Sequence, residues 1–367
     1  MSDSDDANIQ SSLETTRHRD VEDVRRRLDA WLAKHGGGAV ANITAPTASG
    51  ASSELFLIDL QDAPIAGAGL RRTVVRLIGE HAVYPEVDQE RQFICQRLMA
   101  ERSQAPVPRA LACELDAAAI GAPFIMMDRA DGRGAPDWPS YVREGWIRDL
   151  DDDDRFTLWI NAVRAIAQAH ATDLSGVDVK RLYLPGGGAD GVTRLVDYWK
   201  LYLSVVREHG DYPALETSLA YLEREKPQSP NPERLVWGDA SLRNMLFQGL
   251  QPVALLDLEF AHVGPPEFDI AFFAMMDRVM AEGYAGLPRL TGFCNEARTY
   301  EEYERASGLT FGHRDYFQRM AVTYMSLANT RVYQRLALEG RMEWADVGRN
   351  PPLRFLANMY GMDPDAT

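Results

Sequence analysis

Three oxygen-bearing side chains fall within one short stretch of the chain. Asp239 follows a short apolar run at Leu235 and Val236. Asn244 comes five residues later, just ahead of the run Met245 to Phe247, and Asp257 follows the run Val253 to Leu256, two residues before Glu259. Each predicted strand ends beside one of these side chains, so neighbouring strand ends would bring them together. Phosphoryl transfer spreads negative charge over the γ-phosphoryl oxygens, and Mg²⁺ must be held beside them by hard oxygen ligands. Asn244 and Asp257 have that chemistry. A separate carboxylate must orient the acceptor hydroxyl and take its proton, and Asp239 stands apart from the other two for that role. Taken singly, Asp and Asn are ordinary turn and cap residues. It is the ordered set of three that points to a site.

The elements that must position them read as a small sheet-rich part followed by a larger helical one. Val24, Leu28, Trp31 and Leu32 recur at helical spacing, and Gly36, Gly37 and Gly38 end that helix. Extended runs follow at Leu55 to Leu60, Thr73 to Ile78 and Phe124 to Met127, with Gly67-Ala68-Gly69 as the hairpin loop between the first two. A helix is expected from Glu86 to Arg102, with Glu90, Ile94 and Leu98 on its inward stripe. Alternation in Thr73-Val74-Val75-Arg76 puts Val74 and Arg76 on one face of their strand. After Met127 the pattern turns helical, with Asp151 to Asp154 favouring the start of the helix that follows. His170 on that helix reads as a core histidine donating to a backbone carbonyl. Phe317, Met320, Tyr324 and Leu327 form a stripe at core spacing. The expected class is α+β in two lobes, with residues 1–19 an acidic tail, 20–127 the small lobe and 128–367 the large one.

Composition narrows the possibilities. The 367 residues carry 39 Lys and Arg against 54 Asp and Glu, a net charge of −15. Such a field repels nucleic acid and anionic membrane surfaces, so neither is an expected partner. The net charge also tilts the expected acceptor toward a neutral or cationic compound. Three scattered cysteines suit neither a disulfide framework nor a zinc site, and the acidic N-terminus lacks the pattern of a signal peptide. A cytoplasmic location is expected. The chain has no phosphate-loop lysine motif, no zinc-binding His-Glu-x-x-His and no hydrolase elbow. Oligomeric state is left open.

Trp237-Gly238-Asp239 through Asn244, then Leu256-Asp257-Leu258-Glu259, then Gly264-Pro265-Pro266-Glu267-Phe268-Asp269-Ile270-Ala271 together resemble the signatures of the aminoglycoside phosphotransferase superfamily, and in particular its actinobacterial-type branch. The resemblance runs over nearly the whole chain from about residue 20. It implies a protein-kinase-like fold, with a small antiparallel-sheet lobe carrying one main helix and a larger, mostly helical lobe. It implies ATP or GTP with Mg²⁺ as cofactors and transfer of the γ-phosphoryl group to a hydroxyl of a small molecule. It makes Asp239 the catalytic base, Asn244 and Asp257 the metal ligands, and Asp269 a brace beneath the loop. Arg76 with Glu90 resembles the strand-lysine and helix-glutamate pair that positions the α- and β-phosphates. Thr47 to Ser53, with Gly50 and Ser52, resembles the phosphate-covering loop. Met127, Asp128 and Ala130 resemble the hinge that meets the adenine.

The sequence departs from the family pattern in three places. Arg76 stands where lysine is usual, Trp237 where histidine is usual, and Leu258 and Phe260 flank Glu259 where an indole is usual after Asp257. A guanidinium is not interchangeable with an ammonium. A nucleotide-binding pseudokinase without transfer activity is therefore the alternative. The acceptor pocket is expected against the helices around Tyr198 to Tyr202 and Tyr316 to Tyr324, with the loop after Asp257. Arg243, beside Asn244, either meets substrate or points to solvent.

Overall fold

A computed structural model of the chain describes residues 19–46, 53–78, 83–86, 88–136 and 139–364. Gly50 and Ser52 lie outside the described residues, as do residues 1–18 of the expected tail. The first helix, α1 (Val21–Lys34), is capped by the Asp20 carboxylate, which accepts from the Asp23 amide. It buries Val24, Leu28, Trp31 and Leu32, the stripe its spacing predicted. Gly38 after it holds a positive φ, and a Cβ there would stand 2.5 Å from the Ala63 backbone, so only glycine lets the chain turn into the sheet.

The sheet of this lobe has, among the described residues, the order β1-β2-β3-β5-β4, with every pair antiparallel. Its strands are β1 (Ala39–Thr44), β2 (Ser53–Gln61), β3 (Leu70–Ile78), β4 (Ala110–Glu114) and β5 (Phe124–Asp128). Residues Gly67 to Gly69 form the β2–β3 hairpin loop. The two outer strands, β1 and β4, escaped the sequence reading. They are alanine-containing edges, where little side-chain packing favours a strand pattern. Phe56, Ile58, Val75, Phe124 and Met126 pack with α1 into one core. Helix α2 (Gln89–Arg102) precedes residue 127, yet its Cys95, Leu98 and Met99 join the larger second core.

That core is built mainly on α4 (Asp152–His170), α5 (Gly191–Val206), α6 (Pro213–Arg224), α7 (Pro266–Arg278), α8 (Glu296–Ser307) and α9 (Arg314–Leu338). A short strand β6 (Arg133–Gly134) and helix α3 (Trp146–Asp149) precede α4, and α10 (Trp344–Val347) and α11 (Pro351–Met359) follow α9. Asp151 caps α4 by accepting from the Asp154 amide, as its acidic run predicted. Short strands carry the central segment: β7 (Arg234–Val236), β8 (Met245–Gln248), β9 (Gln251–Leu255) and β10 (His262–Gly264). β8 pairs with β9 and β10 with β7. The three cysteines are free thiols. Among the described residues, no helix is long and apolar enough to cross a membrane.

β10 carries a buried histidine with a consequence for acid stability. His262 Nδ1 lies 2.8 Å from the Phe260 carbonyl oxygen, and its Nε2 is buried without a hydrogen-bond partner. Burial pushes the imidazole down to about 4. Its folded value lies below the unfolded one, so the stabilisation is complete above about pH 6.5 and is lost as pH falls toward 4, on the order of 3 kcal/mol in all. His262→Gln is expected to flatten that loss. Melting temperatures of both proteins from pH 7 to 4.5 check this, and parallel curves would remove His262 from the account.

Candidate active site

Strand β7 delivers the chain to a loop suspended from α7. The amides of Trp237 and Gly238 donate to the Asp269 carboxylate at 2.6 and 2.7 Å, and Asp269 is fully buried in the first turn of α7. His170 Nε2 lies 2.9 Å from the same carboxylate, and its Nδ1 lies 2.7 Å from the Tyr303 hydroxyl. His170 is thus a core residue, but its partners are side chains of the brace and not a backbone carbonyl. Nothing in the spacing of α4 signals this, because Asp269 lies 99 positions away. Gly238 sits at φ 90°, where a Cβ would come within 2.4 Å of the Phe260 oxygen. Trp237 fills its position as a buried indole whose Nε1 donates to the Leu256 carbonyl at 2.7 Å.

Beyond the brace, the three chemistry-bearing side chains converge. Met245 at the start of β8 pairs with Leu255 at the end of β9, which sets Asn244 and Asp257 at adjacent strand ends. The Leu256 amide donates to the Asn244 carbonyl at 2.8 Å and ties the two segments. Asn244 Nδ2 donates to the Asp239 carbonyl at 3.1 Å, which commits its amide nitrogen and leaves its side-chain oxygen for another role. Asp257 holds a left-handed φ of 57°, a strained conformation for a residue other than glycine. Burial pushes the Asp239 carboxyl up to about 7, with Asp257 and Glu259 adding to the rise and Arg243 and Asn244 opposing it. A value near 7 suits a group that must both accept and release a proton. As to a cation, Asn244 and Asp257 offer hard oxygens. Among the described residues no three His, Cys, Asp or Glu side chains form a self-sufficient metal site, so nucleotide phosphate and water would have to complete the shell.

Arg76 on β3 reaches this constellation, but its partner is not the expected one. Its guanidinium is buried between Glu259, to which it hydrogen-bonds, and Asp257 at 3.4 Å. Glu90 is exposed and pairs instead with Arg181 at 3.1 Å. The reason is helical drift: each four-residue step overshoots a full turn by about 40°, so Glu90 is rotated about 80° from the buried Leu98. The helix turns Gln92 and Gln96 toward the cavity instead. Glu259 was visible in the Asp257-x-Glu259 spacing, but its pairing with Arg76 was not. Phe260, next to it, stacks among Trp199, Tyr84 and Tyr324, with ring centroids 5.3, 5.7 and 4.8 Å away, and so anchors the turn that aims Glu259.

Arg76, Gln92, Gln96, Asp239, Asn244, Asp257 and Glu259 line one cavity of about 1820 Å³. Leu57, Val74 and Met127 are register partners across β2, β3 and β5 and form its apolar roof, with Asp128 and Ala130 beside them. A pocket for one small ligand is usually ~300–1,000 Å³, so this one has room for two molecules. Its far end is lined by the turn at 278–286, the α9 positions 329, 332 and 333, and the segment 341–359. The expected tyrosine walls are not there. Tyr198, Tyr202, Tyr316 and Tyr324 are buried core residues, with Tyr202 donating to the Val83 carbonyl and Tyr316 to the Leu222 carbonyl.

A family model described as the phosphotransferase enzyme family matches residues 43–318. The chain belongs to this phosphotransferase family. It is also similar to curated proteins named for another activity. Human acyl-CoA dehydrogenase family member 11 is 27% identical over 259 residues, 68% of this chain and 30% of that protein. A probable acyl-CoA dehydrogenase of Arabidopsis thaliana, IBR3, is 25% identical over 284 residues, 71% of this chain and 32% of its own. The chain spans less than a third of the length of these relatives. Among solved structures, one from Ralstonia eutropha assigned to the aminoglycoside phosphotransferases superposes with a TM-score of 0.66 at 20% identity, covering 91% of this chain and 97% of that one. The aminoglycoside phosphotransferase APH(4)-Ia, in ternary complex with ADP and hygromycin B, gives 0.55 at 15% identity, covering 90% and 98%. These likenesses establish the kinase-like two-lobed fold. Asp239, Asn244, Asp257 and Asp269 lie inside the family match; residues 341–359 at the far end of the cavity lie beyond it.

Proposed function

We propose that this phosphotransferase moves the γ-phosphoryl group of ATP or GTP to a hydroxyl of a small molecule. The observation that carries the reading is the convergence of Asp239, Asn244 and Asp257 on a cavity roofed by β3 and large enough for two substrates. The ADP held by a structural neighbour supports nucleotide use. Leu57, Val74 and Met127 would pack the base, with the backbone of Met127 to Ala130 at its edge. Asp239 would accept the hydroxyl proton while orienting its oxygen. Asn244 and Asp257 would hold Mg²⁺, which when bound neutralises charge developing on the transferred group. Arg76, steadied by Glu259, supplies a fixed positive charge on the nucleotide side. The free cysteines support work in a reducing compartment.

The test is a mass-spectrometric screen for products heavier by one phosphoryl group, run over sugars, amino alcohols and hydroxy acids. The names of the curated relatives add hydroxylated acyl thioesters to that panel. Arg76 lying 3.4 Å from Asp257 favours a second reading, in which nucleotide binds and no transfer follows because this cation competes for the carboxylate. Tight nucleotide binding with no product across the panel would select that reading.

Asp257→Ala is expected to weaken nucleotide binding about tenfold or more with Mg²⁺ present and hardly at all in EDTA, since its carboxylate acts through the cation. Titration of ATP under both conditions checks it. Equal losses would give Asp257 a purely structural role.

A further inference from the structure

One polar side chain in the cavity wall has nothing to hold. Gln92 on α2 is 3% exposed and lines the cavity, yet among the described residues its carboxamide makes no hydrogen bond. Gln96, one turn further along the helix, is different. It is also buried in that wall, but its Nε2 donates to the Pro108 carbonyl at 2.8 Å and lies 3.4 Å from Met127 Sδ. A buried amide without a partner costs free energy, and native structures rarely leave one so. Set in the wall of a cavity, it is placed to meet a ligand atom.

The packing of α2 narrows which atom that is. Through Gln96 the helix touches Met127, part of the apolar roof over the base. Through Cys95, whose Sγ lies 3.6 Å from the Ala261 carbonyl oxygen, it touches the end of the turn that carries Glu259. Gln92 precedes these residues by helical steps that put it on the same face as both, so it meets the cavity where the roof joins that turn. Arg76 is fixed in the same corner by Glu259. The acid expected on this helix, Glu90, faces away and pairs with Arg181. The cavity already holds the carboxylates of Asp239, Asp257 and Glu259. A carboxamide brings N–H donors to it without further negative charge.

We propose that Gln92 is a nucleotide ligand whose Nε2 donates to an oxygen of the phosphate chain, beside the charge supplied by Arg76. This rests on the nucleotide half of the phosphotransfer reading and not on the transfer itself. The two side chains divide the work: Arg76, held by Glu259, gives charge, and the uncommitted amide gives a directed hydrogen bond to an anionic acceptor.

The experiment titrates adenosine, ADP and AMP-PNP, each with Mg²⁺, into wild type, Gln92→Leu and Gln92→Glu. Gln92→Leu removes both polar atoms at little change in size. It is expected to weaken ADP and AMP-PNP about tenfold or more and to keep adenosine within about twofold. Its melting temperature without nucleotide should not fall, because hydrocarbon replaces an unpaired buried amide. Gln92→Glu is expected to weaken AMP-PNP further, since its charge repels the phosphates as well as failing to donate, and it carries the test should Gln92→Leu fold poorly. Equal losses for adenosine and AMP-PNP, no loss for any of the three, or wild-type AMP-PNP affinity in Gln92→Glu overturns the proposal. A lower melting temperature with nucleotide affinities unchanged would also overturn it and make Gln92 a structural part of α2. The expected losses without any product in the acceptor screen would overturn the transfer reading and leave this one standing. Transfer by wild type with unchanged AMP-PNP affinity in Gln92→Leu would do the reverse.

Discussion

Asp239→Asn is expected to lower the transfer rate by about 10²- to 10⁴-fold, the usual cost of removing a positioned base, while nucleotide affinity stays within a few-fold of wild type. The two parts of that outcome come from different atoms. The side chain loses its ability to take a proton, but the Asp239 carbonyl oxygen, which holds Asn244 Nδ2, is unchanged. Single-turnover rates with ATP and an acceptor from the screen, alongside a nucleotide titration, separate the two. The same substitution should raise the melting temperature of the protein free of nucleotide and cation. Burial raises the Asp239 carboxyl from 3.8 to about 7, so its folded value exceeds the unfolded one. Wild type therefore loses stability as pH rises from about 4 to about 7, and the neutral amide does not. The variant's advantage should grow across that window and stay level above it. A variant that turns over normally would show that Asp239 is not the base.

Asp269→Ala is expected to do more damage to the fold than any other change in the site. Its carboxylate is fully buried and accepts from the Trp237 and Gly238 amides, with His170 Nε2 at 2.9 Å. Alanine would strand two backbone donors and an imidazole in a region without water access, a loss of about 3–5 kcal/mol. For a chain of this length that lowers the melting temperature by roughly 5 °C. The rate should fall further than stability alone explains, by about 10²-fold at a temperature where the variant is still folded, because the loop that aims Asp239 loses its suspension. Nucleotide affinity should be held more closely than rate. Asp269 acts through Gly238 and is a positioning residue, so a variant that melts lower yet turns over at the wild-type rate would reduce it to a structural part.

The convergence of the candidate segment was legible because its residues are close in sequence. Asp239, Asn244 and Asp257 sit at fixed offsets from three short apolar runs, and adjacent strand ends convert those offsets directly into proximity. Asp269 was legible through its motif. Arg76 was legible as a cleft residue because alternation on a strand fixes its face. Its partner was not, since Glu90 and Glu259 both satisfy a charge rule and the rotation of α2 decides between them. The far wall of the cavity was illegible for a different reason. Its lining comes from 278–286, from α9 and from 341–359, stretches with no shared period that only packing brings together. The tyrosine stripes carried the opposite error, since helical spacing marks burial and says nothing about whether a buried ring borders a cavity.

The ion pair from Arg76 to Glu259 closes a gap of 183 positions along the chain, and the hydrogen bond between His170 and Asp269 one of 99. A ribosome emits the sheet of the small lobe long before it emits either acid. During synthesis Arg76 must wait on a finished sheet while neither Glu259 nor Asp257 yet exists, and His170 on α4 waits likewise for Asp269. Closing such long loops is slow compared with forming local hairpins and helices. The nascent chain thus completes the small-lobe sheet before either contact can form, and a truncated product ending before residue 257 would have the sheet and neither contact.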